Sequence, residues 1–151
     1  MTQDHRLAGF VVRALRAEII AVEHYLAQAS LVELWGYPAL ADRFSNDARD
    51  ELDHQHRILR HAVSVGIAPR AIDLPPLRFG RSVEELVMMD RAFELDVVRL
   101  YGEAVDYCGR MGPASSLELF AGLYGEEVEH LASIDALIVE IRSERRGRDR
   151  G

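Results

Sequence analysis

The sequence has a single cysteine, Cys108, so no intramolecular disulfide can form and nothing requires an oxidising compartment. Cys108 sits in an apolar stretch and reads as a buried helical thiol rather than a nucleophile. Long apolar runs are also missing. No window approaches the ~20 residues that a spanning helix needs, and the first apolar run is broken by Arg13, Arg16 and Glu18. That opening offers neither the apolar core nor the cleavage site of a signal peptide, so the expected location is the cytoplasm. Basic residues are in deficit. Eighteen of them against 25 acidic ones leave a formal charge of -7, which argues against a nucleic-acid-binding core and suits a surface that attracts cations.

Proline and glycine are scarce inside four long stretches, and that scarcity organises the chain. Leu7 to Trp35 contains only Gly9, and Gly36-Tyr37-Pro38 ends the run. A second stretch spans Ala39 to Val65 and stops at Gly66. Ile67 to Ser82 holds Pro69, Pro75, Pro76 and Gly80, and reads as an extended connection. A third run starts near Ser82, which forms a Ser-x-x-Glu capping box with Glu85, and it ends around Gly109 to Pro113. The fourth goes from about Ala114 to Arg142, before the charged segment SERRGRDRG. Runs of roughly 26 to 30 residues are too long for strands, and their apolar positions recur in steps of three and four. In the first run Leu7, Val11, Ala14, Glu18, Val22, Tyr25, Ala29 and Val32 share one stripe. The chain is therefore all-α: four amphipathic helices, with short links within each pair and one long crossover between helices 2 and 3. That connectivity is the ferritin-like, up-down-down-up form of the four-helix bundle.

The second half repeats the first at an offset of 76 residues. Glu18 maps to Glu94, Tyr25 to Tyr101, Gly36 to Gly112, Phe44 to Phe120, Glu51 to Glu127, His54 to His130 and Ile58 to Ile134. Positions i and i+3 share a helix face, so Glu51 points with His54 and Glu127 with His130. Glu18 and Glu94 lie on apolar stripes. Four carboxylates and two imidazoles thus face inward at mid-height of an apolar core. Uncompensated, they would cost many kcal/mol or stay protonated. Two divalent cations remove that cost, and a Glu from each of two helices plus Glu-x-x-His from the other two is a di-metal carboxylate pattern. Mixed oxygen and imidazole ligation suits Fe(II) or Mn(II) over a closed structural zinc site. A single Glu-x-x-His on a helix is usually solvated; two copies with matching upstream Glu residues are a metal site. Tyr25, two turns from Glu18, is either a core aromatic or an electron donor to oxygen at the centre, whereas Tyr101 reads as an ordinary core aromatic. Asp50 and Glu126 are either partners of the opposite repeat's His or solvated acids.

These residues resemble bacterioferritin, the bacterial iron-storage ferritin, over nearly the whole chain: Glu18 to Tyr25, Trp35-Gly36, Asp50-Glu51, His54, Glu94-Leu95-Asp96 and Glu126-Glu127 to His130. The resemblance implies that Glu51 and Glu127 bridge two irons, with Glu18 and His54 completing one and Glu94 and His130 the other. It implies two irons per chain and ferroxidase activity on Fe(II), with dioxygen or hydrogen peroxide as oxidant. It also implies a homo-oligomer built from dimers, up to a hollow 24-subunit shell that stores Fe(III), with a ferredoxin or a sister subunit as possible partner. Residues 1–143 form the bundle domain, and 144–151 a charged, disordered tail.

The chain departs from that family in three places. Haem-binding members carry a Met directly after the second-helix bridging Glu, and here Leu52 stands there, so haem bound in that manner is not expected. Met1, Met88, Met89 and Met111 all lie off the second helix, which leaves His56 and His61 as its only substitute donors. A family His that passes iron inward is Asn46, although its companion Asp50 is kept. Arg142, Arg145, Arg146, Arg148 and Arg150 replace the family's fifth short helix. Two rival readings share the site: a di-metal oxidase or manganese-catalase-like peroxide scavenger that stores nothing, and a subunit of a mixed shell with a haem-binding partner.

Overall fold

The described residues form four helices: α1 (His5–Leu34), α2 (Pro38–Ser64), α3 (Val83–Met111) and α4 (Ala114–Arg148). The computed structural model describes residues 4–68 and 72–150. Residues 1–3, 69–71 and 151 lie outside the described residues; they include Met1, Pro69 of the extended connection and the last residue of the expected tail.

Each helix boundary has a local cause. Asp4 caps α1, its Oδ1 accepting from the backbone N–H groups of Arg6 and Leu7, both at 3.0 Å. Gly36 (φ +85°) and Gly66 (φ +73°) terminate α1 and α2 in the left-handed conformation that glycine adopts without penalty. In both turns the paired backbone bonds of a Schellman motif close the helix: Tyr37 N to Val32 O and Gly36 N to Glu33 O, then Ile67 N to Ala62 O and Gly66 N to Val63 O. Pro38 opens α2, where its missing N–H costs nothing. Ser82 caps α3 by accepting from Glu85 N at 3.2 Å, and Glu85 reaches back to Arg81 N at 2.7 Å. The capping box is thus present with its return bond shifted one residue upstream.

α1 packs along α2 and α3 along α4, while α1 also touches α3 and α2 touches α4, as an antiparallel pair of hairpins requires. Two apolar layers fill the interior. One gathers Phe10, Ala14, Ile58, Tyr101, Phe120 and Leu123; the other gathers Ala21, Tyr25, Phe44, Leu86, Ile134 and Ile138. Between them lies the polar centre. Among the described residues no helix is long and apolar enough to cross a membrane.

The chain beyond residue 143 differs from the expected disordered tail. α4 continues through Arg148, and Arg142 and Arg145 both clasp Glu84 in the first turn of α3, at 2.8 and 2.7 Å. A tertiary anchor of this kind extends a helix that local sequence alone would let fray.

Candidate metal centre

Four carboxyl side chains sit at 1% exposure or less in the middle of the bundle: Glu18 from α1, Glu51 from α2, Glu94 from α3 and Glu127 from α4. His54 and His130, one turn along α2 and α4, turn their Nδ1 atoms toward them. Ligand-type atoms of Glu18, Glu51, His54 and Glu127 lie within 4.8 Å of one another, and those of Glu51, Glu94, Glu127 and His130 do likewise. Glu51 and Glu127 belong to both groups. All six residues singled out in the sequence are therefore brought together, in the two overlapping sets that the repeat requires.

The donor chemistry fits two cations. Both oxygens of Glu127 and Oε1 of Glu51 are buried and accept no well-aligned hydrogen bond. A buried acceptor left without a donor costs about 1–3 kcal/mol, and a cation shared between these oxygens removes that cost. His54 Nδ1 lies 3.1 Å from Glu51 Oε2 and 2.8 Å from Glu127 Oε1, while His130 Nδ1 lies 3.1 Å from Glu51 Oε1.

Titration follows from this crowding. Burial, reinforced by the other carboxylates, pushes Glu18 and Glu94 well above the usual range and favours their neutral forms. Burial opposes ionisation of Glu51 too, but the contacts from His130 and His54 outweigh it and draw its pKa down. His54 is pushed up to about 12: burial disfavours its charge, and Glu127, Glu18 and Glu51 more than offset that. His130 moves in the same direction, held by Asp47, Glu127 and Glu51 against burial. Without metal the site holds protons where cations would sit.

Around the centre the two tyrosines are exchanged crosswise. Tyr25 on α1 donates to Glu94 Oε1 on α3 at 2.6 Å, and Tyr101 on α3 donates to Glu18 on α1. Tyr101 is therefore more than the core aromatic its sequence context predicted. The 76-residue repeat, which pairs it with Tyr25, carried the signal. The outer nitrogen of His54 faces Glu126 Oε2 at 3.4 Å, and that carboxylate is held by Arg57 at 2.6 Å. For His130 the carboxylate near Nε2 is Asp47, at 3.7 Å, rather than Asp50.

A family profile described as a ferritin-like domain matches residues 11–143. Over 138 residues the chain is 30% identical to bacterioferritin of Rhodobacter capsulatus, an alignment that covers 91% of this chain and 86% of that one. The chain belongs to the bacterioferritin family. It is likewise 28% identical over 137 residues to bacterioferritin of Brucella melitensis, covering 89% of this chain and 85% of that relative. In three dimensions it resembles the solved structure of R. capsulatus bacterioferritin with a TM-score of 0.89 at 29% identity, covering 95% of this chain and 89% of the other. That structure is described as having a metal-free dinuclear site and a haem iron in a crystallographic special position.

Set beside its bacterioferritin relatives, the rest of α2 takes on meaning. Leu52 is 53% exposed and offers no donor atom. His61, one of two substitute donors on that helix, is turned inward and its Nε2 lies 2.8 Å from Ser116 Oγ. His56 is exposed. Asn46 and Asp50 lie together on the exposed side of α2, and Asn46 Oδ1 accepts from Arg49 at 2.9 Å.

Proposed function

We propose that this bacterioferritin-family chain is a ferroxidase and iron-storage subunit whose substrate is Fe(II). The observation that carries the reading is the pair of overlapping donor groups sharing Glu51 and Glu127, with three of their four carboxylate oxygens buried and accepting no well-aligned hydrogen bond. Glu51 and Glu127 would bridge two Fe(II) ions. Glu18 and His54 would complete one, and Glu94 and His130 the other.

Each Fe(II) yields one electron; four of them, with four protons, reduce dioxygen to two waters, and hydrogen peroxide is the alternative oxidant. The chain's own groups prepare the site for this. Protons held on Glu18, Glu94 and the two imidazoles leave as Fe(II) enters, because carboxylates and neutral imidazoles are the ligating forms. Tyr25 fixes the orientation of Glu94 and lies 5.7 Å, ring to ring, from His130, close enough to supply an electron. Arg57, through Glu126, steadies His54 in the tautomer that leaves Nδ1 free for metal.

Storage requires an oligomer built from dimers, up to a closed shell, and the cytoplasm is the compartment this implies. The exposed Leu52 supports a subunit without haem at that position. Stopped-flow Fe(II) oxidation followed by size-exclusion mass measurement tests the proposal. Rapid oxidation with mineral in a large assembly supports it, whereas a dimer that turns over without retaining iron supports the di-metal oxidase instead.

A further inference from the structure

A second polar cluster lies at the α1–α3 interface, outside the six-residue centre. It consists of His24, Gln28 and Asp90. Gln28 and Asp90 are each 1% exposed, while the His24 side chain keeps 17% of its surface open. Gln28 Nε2 lies 2.6 Å from Asp90 Oδ1 and 2.8 Å from His24 Nε2, and the latter is 3.4 Å from Asp90 Oδ1. Three polar atoms from three side chains thus form a compact triangle.

The three triangle atoms are hydrogen-bonded to one another, but the far end of the Gln28 amide is not satisfied. Gln28 Oε1 is buried without a partner. Asp90 is ion-paired with no Arg or Lys among the described residues, and His24 is its only basic neighbour. Burial raises its pKa, and the negative field of Asp47 on α2 adds to that. The two ends of a carboxamide have nearly the same shape, so a half-turn of the Gln28 amide exchanges Nε2 for Oε1 at the apex. The triangle would then present one imidazole nitrogen, one amide oxygen and one carboxylate oxygen. Adjacent ligands on an octahedral ion with bonds of ~2.1 Å stand ~3.0 Å apart. The three observed separations bracket that value.

We infer that His24 Nε2, Gln28 Oε1 and Asp90 form one face of a third divalent-cation site, open to solvent past His24. Bound there, the ion neutralises Asp90 and is ligated by the turned Gln28 oxygen, while the amide Nε2 takes the buried place the oxygen left. One imidazole and two oxygens suit Fe(II) and similar ions of intermediate hardness. Asp90 lies one helical turn before Glu94 on α3, about 6 Å along the axis. An ion held at the triangle is therefore one short step from the buried centre, and the site serves as a loading position for Fe(II). Only this last assignment rests on the ferroxidase reading; the site itself stands on its own donor geometry.

Crystals of the full chain soaked in Co(II) and measured at the cobalt edge test the site directly. Wild type should show an anomalous peak ~2.1 Å from His24 Nε2 and an Asp90 oxygen, with the Gln28 amide turned. Asp90→Asn and the nearly isosteric Gln28→Leu should each lose that peak and keep those between Glu51 and Glu127. Glu51→Ala should do the reverse. No peak at the triangle in wild type, or one that survives both Asp90→Asn and Gln28→Leu, overturns the inference. A triangle peak with no density between Glu51 and Glu127 would sink the di-metal reading and leave this one standing.

Discussion

The hydroxyl of Tyr25 donates to Glu94 across the bundle, and Tyr101 returns the arrangement to Glu18. Each carboxylate that belongs to a single donor group is thereby oriented by the helix that carries the other one. Removing a donor leaves a buried acceptor exposed to no replacement, so Tyr25→Phe and Tyr101→Phe should each cost roughly 1–3 kcal/mol in the metal-free protein, read by urea denaturation. Only Tyr25→Phe should also slow Fe(II) oxidation and erase an organic radical in freeze-quenched electron paramagnetic resonance. Equal kinetic effects in both variants would remove the distinction between the two rings.

Glu51 and Glu127 are shared by both donor groups, whereas Glu18 and Glu94 each belong to one. Glu51→Ala or Glu127→Ala should therefore abolish rapid Fe(II) oxidation, and Glu18→Ala or Glu94→Ala should leave about one ion bound per chain. Calorimetric titration with Mn(II) counts them. A Glu51 or Glu127 variant with the wild-type oxidation rate would show that the sharing has no chemical consequence.

Metal should invert the pH dependence of stability. In the metal-free protein His54 is raised from 6.5 to about 12, so its contribution is complete below pH 6.5 and is lost as pH climbs toward 12. Glu18 and Glu94, also raised, add the same sign above their ordinary value. Glu51, lowered, contributes above the ordinary carboxylate value and is lost only on acidification. Melting temperature in chelator should fall between pH 7 and 9. With Mn(II) present it should rise over that interval, because ligation displaces the protons. A chelated protein that grows more stable toward pH 9 would contradict the charge pattern described above.

Protein expressed with ample haem should show no strong Soret band. Leu52 has no donor atom and His61 is engaged with Ser116 inside the core. A band equivalent to about half a haem per chain would refute this, and its loss in His56→Ala would name the ligand.

The bundle and the six inward donors were legible because both are written as periodicity: a 3.6-residue stripe and a 76-residue repeat. What surrounds the donors was less so. By symmetry Asp50 should serve His130 as Glu126 serves His54, yet Asp47 stands nearest. Glu126 is one methylene longer than Asp50 and is steered by Arg57, whose repeat counterpart is Ser133. Such choices depend on side-chain reach and on a neighbour from another helix. The helical course of residues 144–148 has a similar origin. Arg145 gains from Glu84 on α3 what no local propensity supplies.

The repeat has one more consequence. The α1–α2 hairpin brings one Glu and one Glu-x-x-His, the α3–α4 hairpin brings the same set, and none of the six donors lies in the segment that joins them. Each hairpin in this sense carries half of the donor set, and two copies of either one hold the complete inventory. A chain cut within the crossover, its halves produced as separate polypeptides, keeps all six donors, and metal held between them would add to the apolar packing that joins one half to the other.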